Sequence, residues 1–207
     1  MNIFETNKFN FVEKRFGDVT TLEMDDFYKH PNELLKFITS HKADFHKSGE
    51  KGYNGVHFED KRHTIKNKDF EDLKLKMCEH FNITQINDDP ILTNQFVMED
   101  NEFNKPNTHY WAPHTDDHAL ACLVYLNTVD CAGTNFYKPF SNDLKGDDKE
   151  HVNPWRPKSN FILLGTSKAK FNRICVFKGD DVLHGMSLDK TFVKPCKEKR
   201  LNQVIFL

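Results

Sequence analysis

The spacing of apolar residues changes near Pro90, from helical periods before it to strand-length runs after it. The opening two dozen residues read as extended segments, with Phe9, Phe11 and Phe16 set among polar neighbours. Asp25-Asp26-Phe27-Tyr28-Lys29-His30-Pro31 then opens a helix that carries Leu34, Leu35, Phe37 and Ile38. The aspartates suit the positive end of the helix dipole, and proline is tolerated in a first turn, where its missing N–H would have no partner anyway. Residues 43–66 are polar, glycine-containing and aperiodic, which predicts a long loop of the kind that binds ligands or forms a lid. A second helix follows Asn67 as N-cap, with Asp69, Glu71 and Asp72 in its first turn. Its stripe of Phe70, Leu73, Met77 and Phe81 falls at i, i+3, i+7 and i+11, so that face packs on a sheet and belongs to the core.

After Pro90, apolar and β-branched residues gather in runs at 91–99, 108–115, 119–127, 134–137, 161–166, 173–177, 182–188 and 201–207. Glycine, asparagine or aspartate separates most of them. Helices first and about eight antiparallel strands after is the order of an α+β domain. The expected architecture is a double-stranded β-helix, a cupin-like jelly roll, backed by the N-terminal helices. A single domain over 1–207 is expected, with 1–90 as helical support and long loop and 91–207 as the jelly-roll core. No internal repeat is visible. The segment 139–160 is rich in charge (Asp143, Lys145, Asp147, Asp148, Lys149, Glu150) and reads as a long loop, either a solvated insertion or a substrate-facing element.

Composition narrows the class. A chain of 207 residues is long enough to bury about 70% of its unfolded surface in one core. Its 29 basic and 31 acidic residues give a net charge of −2, so no electrostatic argument favours nucleic acid as a partner. Nineteen phenylalanines favour a β-rich interior. The five cysteines (Cys78, Cys122, Cys131, Cys175, Cys196) are odd in number and lack a Cys-x-x-Cys, which argues against a disulfide framework and for a reducing compartment. Met1-Asn2-Ile3-Phe4-Glu5-Thr6 has no signal-peptide character, and no apolar run approaches ~18 residues. The expectation is a cytoplasmic protein with no membrane partner; none of these features speaks to oligomeric state.

The chemistry gathers around Ala112-Pro113-His114-Thr115-Asp116-Asp117-His118. On a strand, i and i+2 share a face, so His114 and Asp116 would present an imidazole and a carboxylate side by side. A second histidine would complete a 2-His-1-carboxylate set, which leaves coordination positions open for a cosubstrate and O₂. His184 supplies it, on a strand that returns after the tight turn Gly179-Asp180-Asp181. His118 stands four residues from His114, a helical spacing for metal ligands, but Pro113 and the strand pattern oppose a helix there; His109 is the other competitor. A dicarboxylate cosubstrate needs a guanidinium, whose forked donors bind a carboxylate bidentately. Arg200 begins the final strand, in phase with Asn202 and Val204, although a one-residue slip would make Lys199 the anchor instead.

His114-x-Asp116…His184…Arg200 resembles the signature of Fe(II)/2-oxoglutarate-dependent dioxygenases. Tyr125-Leu126-Asn127 followed by Ala132-Gly133-Thr134-Asn135-Phe136 is similar to the Tyr-Leu-Asn…Gly-Gly-x-Thr-x-Phe segment of the prolyl 4-hydroxylase-like branch. Val176-Phe177-x-Gly179-Asp180-x-x-x-His184 resembles the approach to that branch's distal histidine, and Asp26-Phe27-Tyr28-x-x-Pro31 the helix entry of its bacterial and phage members. The resemblance implies a hydroxylase that releases succinate and CO₂, with Fe(II), 2-oxoglutarate and O₂ required and ascorbate a further candidate. It implies His114, Asp116 and His184 as catalytic metal ligands and Arg200 as anchor of the distal carboxylate of 2-oxoglutarate. Tyr125, or alternatively Tyr110, would add a hydroxyl to that anchor. A carboxylate at Asp116 implies hydroxylation, since halogenating relatives lose it. Cys131-Ala132-Gly133 departs from the double glycine, and the stretch from His184 to Arg200 is long.

A prolyl residue of a peptide or protein is the substrate that the branch implies; a free amino acid or small metabolite is the alternative. Substrate would meet loop 43–66, with Tyr53, His57 and Arg62, and Trp111 or Trp155. Three rivals stand beside it: a nucleic-acid dealkylating oxygenase, disfavoured because no second arginine follows Arg200; a hydrolase using the same ligands, disfavoured by Arg200 itself; and a jelly-roll binding module without turnover.

Overall fold

Strand alternation decides the layers. The structure, a computed structural model, describes residues 2–40, 46–48, 58–64, 68–84, 91–97, 108–129, 132–141, 155–187 and 200–207, with the backbone alone at 40, 46–48, 58–64, 91–97 and 155. Every residue of β7 (Leu120–Tyr125) is buried. Leu120, Cys122 and Val124 face one core, and Ala121, Leu123 and Tyr125 face another. The same split runs through β11 (Arg173–Lys178), with Ile174 and Val176 on the first side and Cys175 and Phe177 on the second. In β13 (Arg200–Phe206), Leu201 and Ile205 join the first core and Val204 the second. Strands buried on both faces lose their polar half, which is why these stretches read as near-continuous apolar runs.

With β1 (Val12–Phe16), β2 (Val19–Met24), β3 (His46–Ser48), β4 (Phe58–Thr64) and β5 (Ile91–Val97), these strands form an eight-stranded antiparallel sheet ordered β1-β2-β11-β7-β13-β5-β4-β3. Its first face is covered by α1 (Pro31–Ser40), through Leu34 and Ile38, and by α2 (Lys68–Phe81). The α2 stripe behaves as its spacing predicts: Phe70, Leu73 and Met77 are each 0% exposed, and Phe81 packs half-buried beside them. Truncating Phe70 to alanine would cost about 3–5 kcal/mol. The second face packs on a smaller sheet of β8 (Thr134–Pro139), β10 (Phe161–Ser167) and β12 (His184–Met186), ordered β10-β8-β12, whose Phe136 completes the inner core. A ribbon of β6 (His109–Trp111) and β9 (Trp155–Pro157) completes the strands.

Mostly antiparallel sheets with few helices match the expected class, and each of the eight expected runs holds a strand. After Pro90 the described residues hold nine strands, β9 being additional to the eight runs, and β1 to β4 precede it. β1 and β2 form a hairpin, turned at Gly17 with φ 62°, where extended segments alone were expected. Loop 43–66 is corrected in part. β3 and β4 pair with each other, and β4 pairs with β5 along its whole length. The sequence Phe-Glu-Asp-Lys-Arg-His-Thr of β4 has one apolar residue, so no alternation announces it; backbone pairing defines it. Loop 139–160 is likewise ordered at its end, where β9 and a 3₁₀ turn (Lys158–Asn160) precede β10. A three-residue strand ending in proline is too short to show a period. Residues 142–154, with the charge run from Asp143 to Glu150, lie outside the described residues, as does Asn67. Among the described residues, no helix is long and apolar enough to cross a membrane.

Candidate metal centre

His114 does not lie on the strand that its sequence neighbours suggest. β6 stops at Trp111, because Ala112 takes a positive φ of 37° and Pro113 has no N–H to donate. The chain then turns and meets β12 at one point. His114 and His184 exchange both backbone hydrogen bonds, His114 N to His184 O at 2.9 Å and the reverse at 2.8 Å. Asp116 is fastened next to them by its N–H to the Gly179 carbonyl at 2.8 Å. The side-by-side placement expected of i and i+2 on a strand is thus reached by cross-chain pairing.

The three side chains converge. Nε2 of His114 lies 3.6 Å from Oδ1 of Asp116, and Nε2 of His184 lies 3.4 Å from Oδ2. The ligand atoms of His114, Asp116 and His184 all lie within 4.8 Å of one another. Nδ1–H of His114 donates to the Ala112 carbonyl at 2.6 Å, and Nδ1–H of His184 donates to the Val182 carbonyl at 2.9 Å. A carbonyl can only accept, so each Nδ1 carries the proton and each Nε2 turns a lone pair toward the carboxylate. Burial, reinforced by His114, pushes His184 down to about 4, so its ring is neutral at pH 7. Burial raises Asp116, but His184 and His114 outweigh it and hold the carboxyl below its ordinary value. Two imidazoles and one carboxylate, with each Nε2 3.4–3.6 Å from a carboxylate oxygen and all three donors within 4.8 Å, fit one divalent ion, whose ligands stand about 2.1 Å from it.

At the Arg200 end of β13, the inner face of the large sheet turns polar. Arg200 is 5% exposed; its Nε–H donates to the Ala132 carbonyl at 2.9 Å and its Nη1–H to Oδ1 of Asn202. Asn202 is the cross-strand neighbour of Tyr125, whose hydroxyl shares a 2.8 Å hydrogen bond with Thr134 Oγ1. Burial raises the Tyr125 hydroxyl, with Arg200 among the groups that partly offset it.

A family profile matches residues 12–159, most of the chain, and describes a family of unknown function, DUF6445. The chain belongs to the DUF6445 family. The matched range includes His114 and Asp116 and stops short of His184 and Arg200. No curated protein matches the sequence. Among solved structures, a prolyl-4-hydroxylase from Pseudomonas putida superposes with a TM-score of 0.54 at 11% identity, over 92% of this chain and 93% of that one. An oxidoreductase of the 2OG-Fe(II) oxygenase family from Burkholderia pseudomallei reaches a TM-score of 0.44 at 11% identity, over 90% of this chain and 82% of that one. At such identity the first likeness establishes a shared fold, the jelly roll expected for this DUF6445 chain.

The structure separates the two tyrosine candidates. Tyr125 faces the inner core beside Asn202, whereas the Tyr110 ring lies 4.7 Å from Tyr137, on the opposite side of β8 from Phe136. Lys158 Nζ covers the Tyr110 ring at 4.9 Å. Arg200 stands on the inner face as its phase predicts; Lys199 lies outside the described residues. Among the competing histidines, His118 stacks on Phe206 at 4.6 Å and His109 bonds Thr108 at 2.8 Å; neither joins the triad. Trp111 is buried at 3% exposure, which does not suit a substrate wall. Tyr53, His57 and Cys131 lie outside the described residues, as do the side chains of Arg62 and Trp155. A Cβ at 133 would stand 2.0 Å from the Ser167 carbonyl oxygen, so in Cys131-Ala132-Gly133 it is position 133 that demands a glycine. Sequence reasoning missed Asn202 as a partner of Arg200, although its shared phase was the available signal. It also missed the Ala112 carbonyl, which announces itself by no pattern, and the bond from Thr134 to Tyr125, although Thr134 belongs to the quoted motif.

Proposed function

We propose that this DUF6445 chain is an Fe(II)- and 2-oxoglutarate-dependent oxygenase that hydroxylates a C–H bond. The observation that carries the reading is the convergence of His114, Asp116 and His184, with both Nε2 lone pairs turned to one point. The balance is R–H plus O₂ plus 2-oxoglutarate, giving R–OH, succinate and CO₂. Fe(II) held there supplies the redox chemistry that joins O₂ to the decarboxylation. The chain's residues do the rest. His114, Asp116 and His184 would hold the ion through two imidazole nitrogens and one carboxylate. Arg200, set by Ala132 and Asn202, holds the distal carboxylate of 2-oxoglutarate, and Tyr125 offers it a hydroxyl. Phe136, Phe177 and Val204 line the inner core and keep the site dry.

For substrate, the reading favours a prolyl residue in a peptide or protein, supported by the branch motifs around Tyr125 and Gly133. The test is 2-oxoglutarate turnover across a panel of prolyl peptides and free amino acids, with product masses recorded. Substrate-stimulated succinate with a mass gain of one oxygen on a prolyl peptide is expected. Stimulation by amino acids alone would refute prolyl specificity and retain the oxygenase; no succinate under any condition would refute both.

A further inference from the structure

Five described residues have positive φ: Gly17, Asp26, Asn82, Asn172 and Ala112. The first four are types that adopt this backbone at low cost. Ala112 is not, and it precedes Pro113, whose ring disfavours any but an extended conformation in the residue before it. Such an outlier persists only where its surroundings over-determine it, and it invites a functional reading. Its surroundings are visible. Two residues on, the double hydrogen bond between His114 and His184 fixes the chain's exit. Gly185 lies against the turn, where a Cβ would stand 2.5 Å from the Trp111 carbonyl and 3.0 Å from that of Ala112. The result of the turn is equally plain: the Ala112 carbonyl accepts Nδ1–H of His114 at 2.6 Å.

The two histidines are not held alike. The His184 side chain, 7% exposed, is wedged against the Phe177 ring at 4.6 Å. The His114 side chain is 28% exposed, so it relies more on the carbonyl for its orientation. We propose that Ala112 is a positioning residue, whose strained backbone under Gly185 aims a carbonyl at His114 and so points Nε2 of that ring toward Asp116 and His184. The proposal deepens the metal-site reading given above and rests on it for its consequence.

The test uses the full chain with Ala112→Gly, Ala112→Val and Gly185→Ala. Nitrogen-15 NMR of the chelated protein reads the His114 Nδ1–H signal, and Co(II) titration reads affinity. Glycine adopts positive φ freely, so Ala112→Gly should keep the signal and bind Co(II) within about threefold of the parent. Ala112→Val and Gly185→Ala should lose the signal, unfold cooperatively, and bind Co(II) about 10–100-fold more weakly. Should Ala112→Val fail to fold, Gly185→Ala carries the comparison. Parent-like Co(II) binding despite a lost signal would overturn the proposal, as would weakened binding with the signal intact. If the parent itself binds no Co(II), the metal reading fails. The NMR comparison then still tests the carbonyl, and a signal unchanged in Gly185→Ala would sink the positioning role as well.

Discussion

Acidifying the metal-free protein from pH 7 to pH 5 should cost stability through one buried ring. His184 is 5% exposed, and burial, with His114 beside it, pushes it down from 6.5 to about 4. The unfolded chain takes up a proton near pH 6.5 that the folded protein refuses until about pH 4. Between those values the unfolded state binds more protons, so stability falls as pH falls. The loss amounts to about 2 kcal/mol by pH 5 and about 3 kcal/mol below pH 4. Asp116, held below its ordinary 3.8, acts in the same direction but only at lower pH, outside this window. The assay is urea unfolding with chelator at both pH values, on the parent and on His184→Gln. The parent should lose about 2 kcal/mol more than the variant between the two. Equal losses would refute the claim that this imidazole is buried neutral. Adding Co(II) should raise the parent's stability at both pH values, because the folded protein keeps the His184 ring unprotonated until about pH 4.

Other substitutions separate the roles assigned to the anchor. Arg200→Lys gives up forked, charge-assisted hydrogen bonding, so KM for 2-oxoglutarate should rise about 10–100-fold while Co(II) affinity stays unchanged; a parallel loss of Co(II) affinity would deny the division of labour. Tyr125→Phe should raise that KM and Tyr110→Phe should not, because the two rings lie on opposite sides of β8; steady-state kinetics reporting the reverse would exchange their roles. Gly133→Ala drives a Cβ to 2.0 Å from the Ser167 carbonyl and should destabilise by about 3 kcal/mol, read from denaturant midpoints.

Much of the scaffold is legible because the inner strands are buried on both faces. Leu120 to Tyr125 and Arg173 to Phe177 announce themselves by apolar density, and α2 by its spacing. β4 is illegible for the opposite reason: its polar sequence is a strand because β5 offers hydrogen bonds, a long-range fact that no local pattern holds. β9 is hidden by its length. At the site, residue types were legible and the mechanism of assembly was not. His114-x-Asp116 looks like two positions on a strand, yet the strand ends at Trp111 and the pair is placed by bonds to His184 and Gly179. Arg200 was legible as a charge in phase with an inward face, whereas its acceptor, the Ala132 carbonyl, lies 68 residues away in sequence. Backbone carbonyls carry no residue identity, so the groups that orient His114, His184 and Arg200 could not be read from side-chain chemistry.

The central claim is that His114, Asp116 and His184 hold an iron that turns over 2-oxoglutarate. Succinate release by the full chain with Fe(II), ascorbate, 2-oxoglutarate and the prolyl-peptide panel tests it most directly, alongside Asp116→Ala and His184→Ala. Succinate from the parent, falling to the protein-free background in both variants, is the predicted result. Parent release no greater than background, or equal release from parent and variants, would contradict it.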